Sequence, residues 1–500
     1  MTTTELSLSR AAARGAAWSY ATFLVSKGLA LISTLVLARI LAPEEFGLIA
    51  LALVFMGYLD IVNDFGIISA VIWRRGDVER TARVAFGLTL LVGAGLSVLS
   101  LFAAPVVADF YDEPRLAGLL RVLSVTFLLV SFGSVQDALL RRAMAFRRRF
   151  VAEAVKAVVK AAVTVGFAAT GFGAWSVVHG QLAGVTVGAI AYWLLVRWRP
   201  SFTLDRRLAR DLLGYGSQLT LLGLLAMAVS SADQIAIGRR LGAAELGFYA
   251  VAFRLPGLLV LNSCSVLSQA LFPAFARVRD GDGSMPRALV RAVQLLAALT
   301  VPLGLGIALV APDLVSVLFG ERWQPATPVM RWLAVHTVLA TLLYNDGDVY
   351  KATGRPIVLN ALTAVQLGLT APVMWWAAGR GITTAAASMV AISATVLVLR
   401  AGLVHRLLGV SVRELGRALL PVVLSAGVMA GAVGLARAGL SDAPAAMRLT
   451  ASVAVGLVSY GAALRLCARQ PMTEALSLFR LRGGGGAPAP APAMEVSSGG

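Results

Sequence analysis

The chain has 500 residues, 58% of them apolar and only 14% charged, with a mean hydropathy of +0.79. A membrane helix takes roughly 20 mostly apolar residues, so this composition holds about 14 spans and little else. It excludes a soluble enzyme, a disordered chain and a large catalytic domain outside the membrane. The net charge of +18 sits in short basic clusters between apolar runs, so it reads as topology and not as a nucleic-acid surface.

A basic N-terminal segment with Arg10 and Arg14 precedes the first apolar run, which is too long for a signal peptide and reads as an uncleaved span. Runs of spanning length follow in order at 15–38, 44–72, 84–108, 116–140, 150–170, 174–196, 211–238, 246–273, 288–311, 326–350, 356–377, 381–404, 417–438 and 446–467. With both ends cytoplasmic, Lys and Arg in the inner loops outnumber those outside by about three to one along the whole chain. A missed or invented helix would reverse that bias downstream, so 14 spans are predicted. The outside loops are short, and the acidic Asp109–Glu113 segment and Asp313, Glu321 and Trp323 lie there. Cys264 and Cys467 fall in or beside apolar runs and imply no disulfide. Residues 471–500, with four glycines and an Ala-Pro stretch, read as a disordered cytoplasmic tail.

Two segments 200 residues apart repeat. Residues 39–50 (RILAPEEFGLIA) and 239–250 (RRLGAAELGFYA) share Arg39/Arg239, Leu41/Leu241, Glu45/Glu245, Gly47/Gly247 and Ala50/Ala250. Six spans separate the copies, an even number, so their topology is parallel. An all-α polytopic fold follows, with two six-helix bundles related by a pseudo-two-fold along the membrane normal. The boundaries are 1–200 for the first bundle, 201–410 for the second and 411–470 for two appended helices.

Ionisable groups at bilayer depth cost about 2.5–3.5 kcal/mol on insertion scales, so they mark cavities or partners. Lys27 lies mid-way along the first run. Asp60, Asn63 and Asp64 share one helical face, as do Glu153, Lys156 and Lys160, and Arg254, Asn262, Ser265 and Gln269 form a stripe. Asp233 stands near the outer end of the seventh run, and His336, Tyr344, Asn345, Asp346 and Asp348 lie on the tenth. Arginines outnumber lysines ten to one, yet three of the four lysines, Lys27, Lys156 and Lys160, fall within spans. Where charge sets topology this chain uses Arg; the compact ammonium is kept where it meets something inside. For Glu153, Lys156 and Lys160 the alternative is an interfacial ion pair with snorkelling stems. Histidines His179, His336 and His405 show no metal spacing, and no phosphate loop precedes a Lys-Ser or Lys-Thr pair, so neither metal, ATP nor any other cofactor is expected.

These residues resemble a known family. Residues 37–75 (LARILAPEEFGLIALALVFMGYLDIVNDFGIISAVIWRR) look like the opening of the Wzx-type polysaccharide flippases of the multidrug/oligosaccharidyl-lipid/polysaccharide exporter superfamily. Asp64-Phe65-Gly66, the run from Asp233 to Gly242, Arg254-Leu255-Pro256, Phe272-Pro273-Ala274-Phe275 and Gly354-Arg355 match as well, over roughly residues 10–410. The resemblance implies a V-shaped, non-enzymatic transporter of the bacterial inner membrane with a cationic cavity. Its cargo would be undecaprenyl-pyrophosphate-linked oligosaccharide, for exopolysaccharide, capsule or O-antigen synthesis, with a glycan polymerase and chain-length regulator as partners. Lys27, Arg254 and Lys156 would bind the pyrophosphate, with Asn262 and Gln269 on the same stripe. Asp60, Asp64 and Asp233 would serve ion coupling or gating. A peptidoglycan-precursor flippase and a drug exporter of the same superfamily are the near alternatives. A membrane glycosyltransferase or polymerase, using Asp112 and Glu113, is the distant one.

Overall fold

The computed structural model describes residues 3–64, 66–73, 77–200, 205–268, 284–352 and 356–467. Gln269, the Phe272–Phe275 step, Gly354-Arg355 and the tail lie outside them. Among the described residues the structure is all helical, with no strand.

The first half runs α1 (Thr3–Ile40), α2 (Pro43–Asp64), α3 (Ile67–Trp73), α4 (Val78–Tyr111), α5 (Pro114–Leu123), α6 (Val125–Arg142), α7 (Phe146–Ala169) and α8 (Trp175–Leu195). The second runs α9 (Arg206–Pro256, prolonged by a π turn at Gly257–Leu261), α10 (Ser284–Leu318), α11 (Ala326–Thr341), α12 (Asp346–Ala352), α13 (Pro356–Ala378) and α14 (Ile382–Leu408). Two further helices follow, α15 (Val412–Gly439) and α16 (Ala445–Cys467). Local chemistry sets the ends. Asp77 caps α4 by accepting from Arg80 N at 3.0 Å, and Ser411 and Glu414 form a reciprocal capping box on α15. Gly66, at φ 61°, separates α2 from α3.

Eleven helices among the described residues are long and apolar enough to cross a membrane, by length and composition. The remaining expected runs take other forms. The 150–170 run is α7, a regular 24-residue helix that carries Glu153, Lys156 and Lys160. Run 211–238 and the described part of run 246–273 are two helices that meet at a kink at Gly242, where φ is 84°, and are counted together as α9 with its π turn. The 326–350 run divides into the 16-residue α11 and the short α12. Large apolar side chains such as Leu194 (78% exposed) and Leu435 (77%) face outward, the surface of a protein solvated by lipid.

Helix pairing repeats between the halves. In the first, α1 packs on α7, α4 on α6, α6 on α8 and α7 on α8. In the second, α9 packs on α13, α10 on α11, α11 on α14 and α13 on α14. The last two helices pack on each other and on α10. They are tied there by Asp313, which is 1% exposed and receives Arg437 and Arg448 at 2.8 Å each. Sequence placed Asp313 in an outside loop; α10 runs on to Leu318, so this carboxylate is instead a buried, doubly paired anchor.

The halves meet at the repeated turns. A Cβ on Gly47 would stand 1.7 Å from Ala243 O, and one on Gly247 would stand 1.9 Å from Pro43 O. Each glycine lets the opposite turn's backbone in where any side chain would block it. Trp323 is fully buried in the same seam, donating Nε1–H to Ala38 O at 2.8 Å with its ring edge-on to Phe46 and Phe248. Arg239 pairs with Asp112 at 2.7 Å across the halves, and Arg115 holds Glu44 and Glu45. The acidic segment thus reaches the second half through Asp112.

At the other boundary, Asp205 caps α9 by accepting from Arg207 N and Leu208 N at 3.1 Å each, and pairs with Arg80. The Leu208 N–H, then Arg80, hold its carboxyl below the usual carboxylate range. A depressed folded pKa gives stabilisation that is complete above the unfolded value and lost as pH falls through the folded one. Hydrogen exchange over residues 206–212 should therefore lose protection on acidification in the wild type. Asp205→Ala should lack that acid-dependent loss, and an identical pH response in both would contradict the cap.

Candidate functional site

Two cavities lie beside α7. The larger, about 500 Å³, is lined by Asp60, Asn63 and Asp64 of α2, Asp137 and Arg141 of α6, and Tyr192 of α8. The smaller, about 350 Å³, is lined by Ser33 and Thr34 of α1, Lys160 of α7 and Arg254 of α9, with Phe46 and Leu37 as apolar wall. Leu53, Glu153 and Lys156 line both, so the two compartments meet at the Glu153/Lys156 pair. Both volumes lie in the roughly 300–1,000 Å³ range of small-molecule sites.

The sequence puts these groups on one side of α7 through simple periodicity: Glu153, Lys156 and Lys160 are spaced i, i+3 and i+7. Their seating against α8 depends on Gly180, Gly184 and Gly188. A Cβ on Gly184 would stand 2.8 Å from the Lys160 Cβ, and one on Gly188 3.1 Å from the Lys156 Cδ. This glycine stripe, every fourth residue of the 174–196 run, is a signal the sequence itself carries. It is the small-residue spacing that brings membrane helices into close contact.

Lys160 Nζ donates to Gln181 Oε1 at 2.6 Å, and Lys156 Nζ lies 3.9 Å from Glu153 Oε2. Arg254 Nη2 reaches within 3.5 Å of Ala30 O on α1. Lys160 is close enough to Lys156, Arg254 and Asp60 for their charges to act on it. Asp60 in turn feels Lys156 and Lys160. Asp60 and Asp64 are open to the larger cavity, and neither accepts a hydrogen bond within the described structure. Three cations thus converge where the halves face each other, with a loosely held carboxylate beside them. Such a set can hold a doubly charged anion through charge-assisted hydrogen bonds.

The structure separates other expected residues from this cluster. Ser26, Ala30, Ser33 and Leu37 give α1 its cavity face. Lys27, turned about 100° from Ser26 by helix geometry, is exposed and lines neither cavity. Asn262, past the π turn at Gly257–Leu261, also lies outside both. Asp233 is buried away from the cavities; its carboxylate accepts from Tyr249 O–H at 2.6 Å and from Gln234 N at 2.8 Å, bridging the break at Gly242. The histidines have local tasks: His179 Nδ1 meets Trp175 O at 2.8 Å, His336 Nδ1 meets Ser393 Oγ at 2.6 Å and His405 Nδ1 meets Val410 O at 3.1 Å. Asp346 is fully buried and paired with Arg400 at 3.0 Å.

Residues 36–328 match the sequence profile of a family described as polysaccharide biosynthesis protein. The succinoglycan biosynthesis transport protein ExoT of Rhizobium meliloti is 28% identical, over 75% of this chain and 73% of that one. The teichuronic acid biosynthesis protein TuaB of Bacillus subtilis is 27% identical, over 64% and 69%. The lipopolysaccharide biosynthesis protein WzxC of Escherichia coli is 25% identical, over 70% and 72%. Among solved structures, the lipid II flippase MurJ in an inward closed conformation superposes with a TM-score of 0.75 at 13% identity, covering 91% of this chain and 99% of that one. An inward-facing multidrug resistance MATE transporter of the MOP superfamily gives 0.63 at 16%, over 77% and 94%. At these identities the structural likeness concerns the fold alone.

Proposed function

The chain belongs to the polysaccharide biosynthesis protein family, and we propose that it moves undecaprenyl-pyrophosphate-linked oligosaccharides from the inner to the outer leaflet of a bacterial inner membrane. The observation that carries this reading is the convergence of Lys156, Lys160 and Arg254 on one cavity between the halves. A pyrophosphate offers two adjacent anionic groups to such a cluster, and the adjoining compartment of carboxylates, amides and hydroxyls suits the hydroxyl-rich sugar. The names of relatives from three bacteria, for succinoglycan transport, teichuronic acid and lipopolysaccharide biosynthesis, support the same cargo class.

In this reading 14 spans form two six-helix bundles plus α15 and α16, with both termini cytoplasmic. The contact of the Gly47 and Gly247 turns is the closed outer gate. Transport proceeds by rocking of the bundles about the site. Asp60 and Asp64 are coupling carboxylates, and Asp233 supports the gate turn. A polymerase and a chain-length regulator act on the delivered glycan.

The test is reconstitution in liposomes with a labelled undecaprenyl-pyrophosphate oligosaccharide, following exposure of the sugar on the far leaflet. Protein-dependent exposure, competed by unlabelled lipid-linked glycan, is expected. Movement of lipophilic cations with no movement of the glycan would overturn the reading.

A further inference from the structure

Glu153 stands at the junction of the two compartments, and its partners conflict. Tyr192 O–H lies 2.5 Å from Glu153 Oε1 and 3.1 Å from Asp137 Oδ1. A phenol has one proton to donate, so it serves only one of these carboxylates at a time. Asp137 does not depend on it: Arg149 Nε binds it at 2.7 Å and Arg141 Nη2 at 2.6 Å. Among the described residues Glu153 has one hydrogen-bond partner, Tyr192, with Lys156 3.9 Å away and Arg149 acting on it through charge while bound to Asp137. Any anion that draws Lys156 toward itself leaves Glu153 with the phenol and the charge of Arg149, which Asp137 already holds.

We propose that Glu153 is a proton-binding site that competes with the substrate's phosphate groups for Lys156. It holds the lysine while the site is empty and takes up one proton when an anion displaces it. The inference rests on the reading of Lys156 as an anion ligand. The Glu153–Tyr192–Asp137 chain fits both states without moving a heavy atom. In the empty state Tyr192 donates to ionised Glu153. In the loaded state protonated Glu153 donates to the Tyr192 oxygen, and Tyr192 turns its proton to Asp137, whose guanidinium partners stabilise it as the ionised acceptor. One proton enters from water per anion bound and leaves when the anion departs and Lys156 returns. An ionised carboxylate stripped of its cation at bilayer depth is costly, and that cost drives the uptake.

Other charges face the same junction. Arg149 and Lys160 share its helix, Asp60 and Asp64 come from α2, Asp137 and Arg141 from α6, and Arg254 from α9. The cavity positions of α1 carry no titratable side chain. Asp60 is the rival competitor, since its charge also acts on Lys156, but it accepts no hydrogen bond that would exchange with a proton.

The experiment measures farnesyl pyrophosphate binding to the full chain in nanodiscs from acid to neutral pH. Titration of the probe is common to all variants and cancels in the comparison. Wild-type affinity should rise as pH falls, beyond the probe's own trend. Glu153→Gln, which keeps shape and hydrogen bonding, should bind about tenfold tighter at neutral pH, within the roughly 5–150-fold range of a coupling between two sites. It should also lose the protein's pH slope, while Asp60→Asn should keep it. Tyr192→Phe should shift the slope with thermal stability largely retained. If Lys156→Ala binds as tightly as wild type, the anion site itself is misplaced and the inference falls with it. If Lys156→Ala binds weakly but Glu153→Gln has wild-type affinity and slope, only the inference is overturned. Loss of the slope in Asp60→Asn alone would transfer the role to Asp60 and equally refute it.

Discussion

Arg254→Glu and Lys156→Glu should each reduce glycan export below detection while leaving the protein in the membrane. Each variant removes a charge-assisted hydrogen bond to phosphate, about 1.5–3 kcal/mol. Each also sets a negative charge against the anion, at about 1–4 kcal/mol for a 4 Å separation in a partly hydrated site. Together the terms come to about 2.5–7 kcal/mol, and at roughly 1.4 kcal/mol per tenfold in binding a loss of about sixtyfold or more follows. The neutral changes Arg254→Gln and Lys156→Gln keep only the first term and should retain partial export. Membrane insertion is little affected, because Glu and Lys are both costly at depth and one charge replaces another. Lys27→Glu provides the internal comparison: Lys27 is exposed and outside both cavities, so its reversal should matter least. Surface glycan, measured beside membrane-fraction protein, is the readout. Wild-type display from the Arg254→Glu and Lys156→Glu strains would remove the cationic cavity from the mechanism.

The second large effect belongs to the turns. Gly47→Val and Gly247→Val should prevent the Arg39–Ala50 and Arg239–Ala250 segments from closing on each other. A side chain at Gly47 would overlap Ala243 O, and one at Gly247 would overlap Pro43 O, so backbone and not a yielding side chain has to move. Overpacking of this kind costs roughly 1–3 kcal/mol or more. A two-state equilibrium shifts tenfold per ~1.4 kcal/mol, so the closed state becomes the minor one and export stalls. Cysteines at Pro43 and Ala243, joined by a short thiol crosslinker in a background lacking the exposed Cys467, report the closure. Crosslinking should stop export in the otherwise wild-type chain and reduction should restore it; Gly47→Val should abolish the crosslink. Full export with the crosslink in place would show that these turns need not part.

That seam also separates two kinds of information. The repeat was readable because Arg, Glu and Gly recur at matched positions in two turns, and a turn is a local object. Membrane class and the apolar runs were readable for the same reason: hydropathy and loop charge add up residue by residue along the chain. The faces carrying Asp60/Asp64 and Glu153/Lys156/Lys160 followed from helical periodicity, which needs no partner.

What those faces meet was decided only in three dimensions. Periodicity fixes phase within one straight helix, but contact between helices depends on how closely and at what rotation each pair packs. Gly180, Gly184 and Gly188 set that for α7 on α8, and so brought Tyr192 to Glu153 and Asp137. Lys27 looked like a partner of Arg254 because both are cations at depth; the rotation of α1 turns Ser26 and Ala30, not Lys27, toward the cavity. Asn262 lies outside both cavities, past a π turn that no period of 3.6 foresees. Asp313 changed from a loop residue to a buried anchor because Arg437 and Arg448 arrive from two helices more than a hundred residues away, and their charges neutralise what the bilayer would otherwise expel.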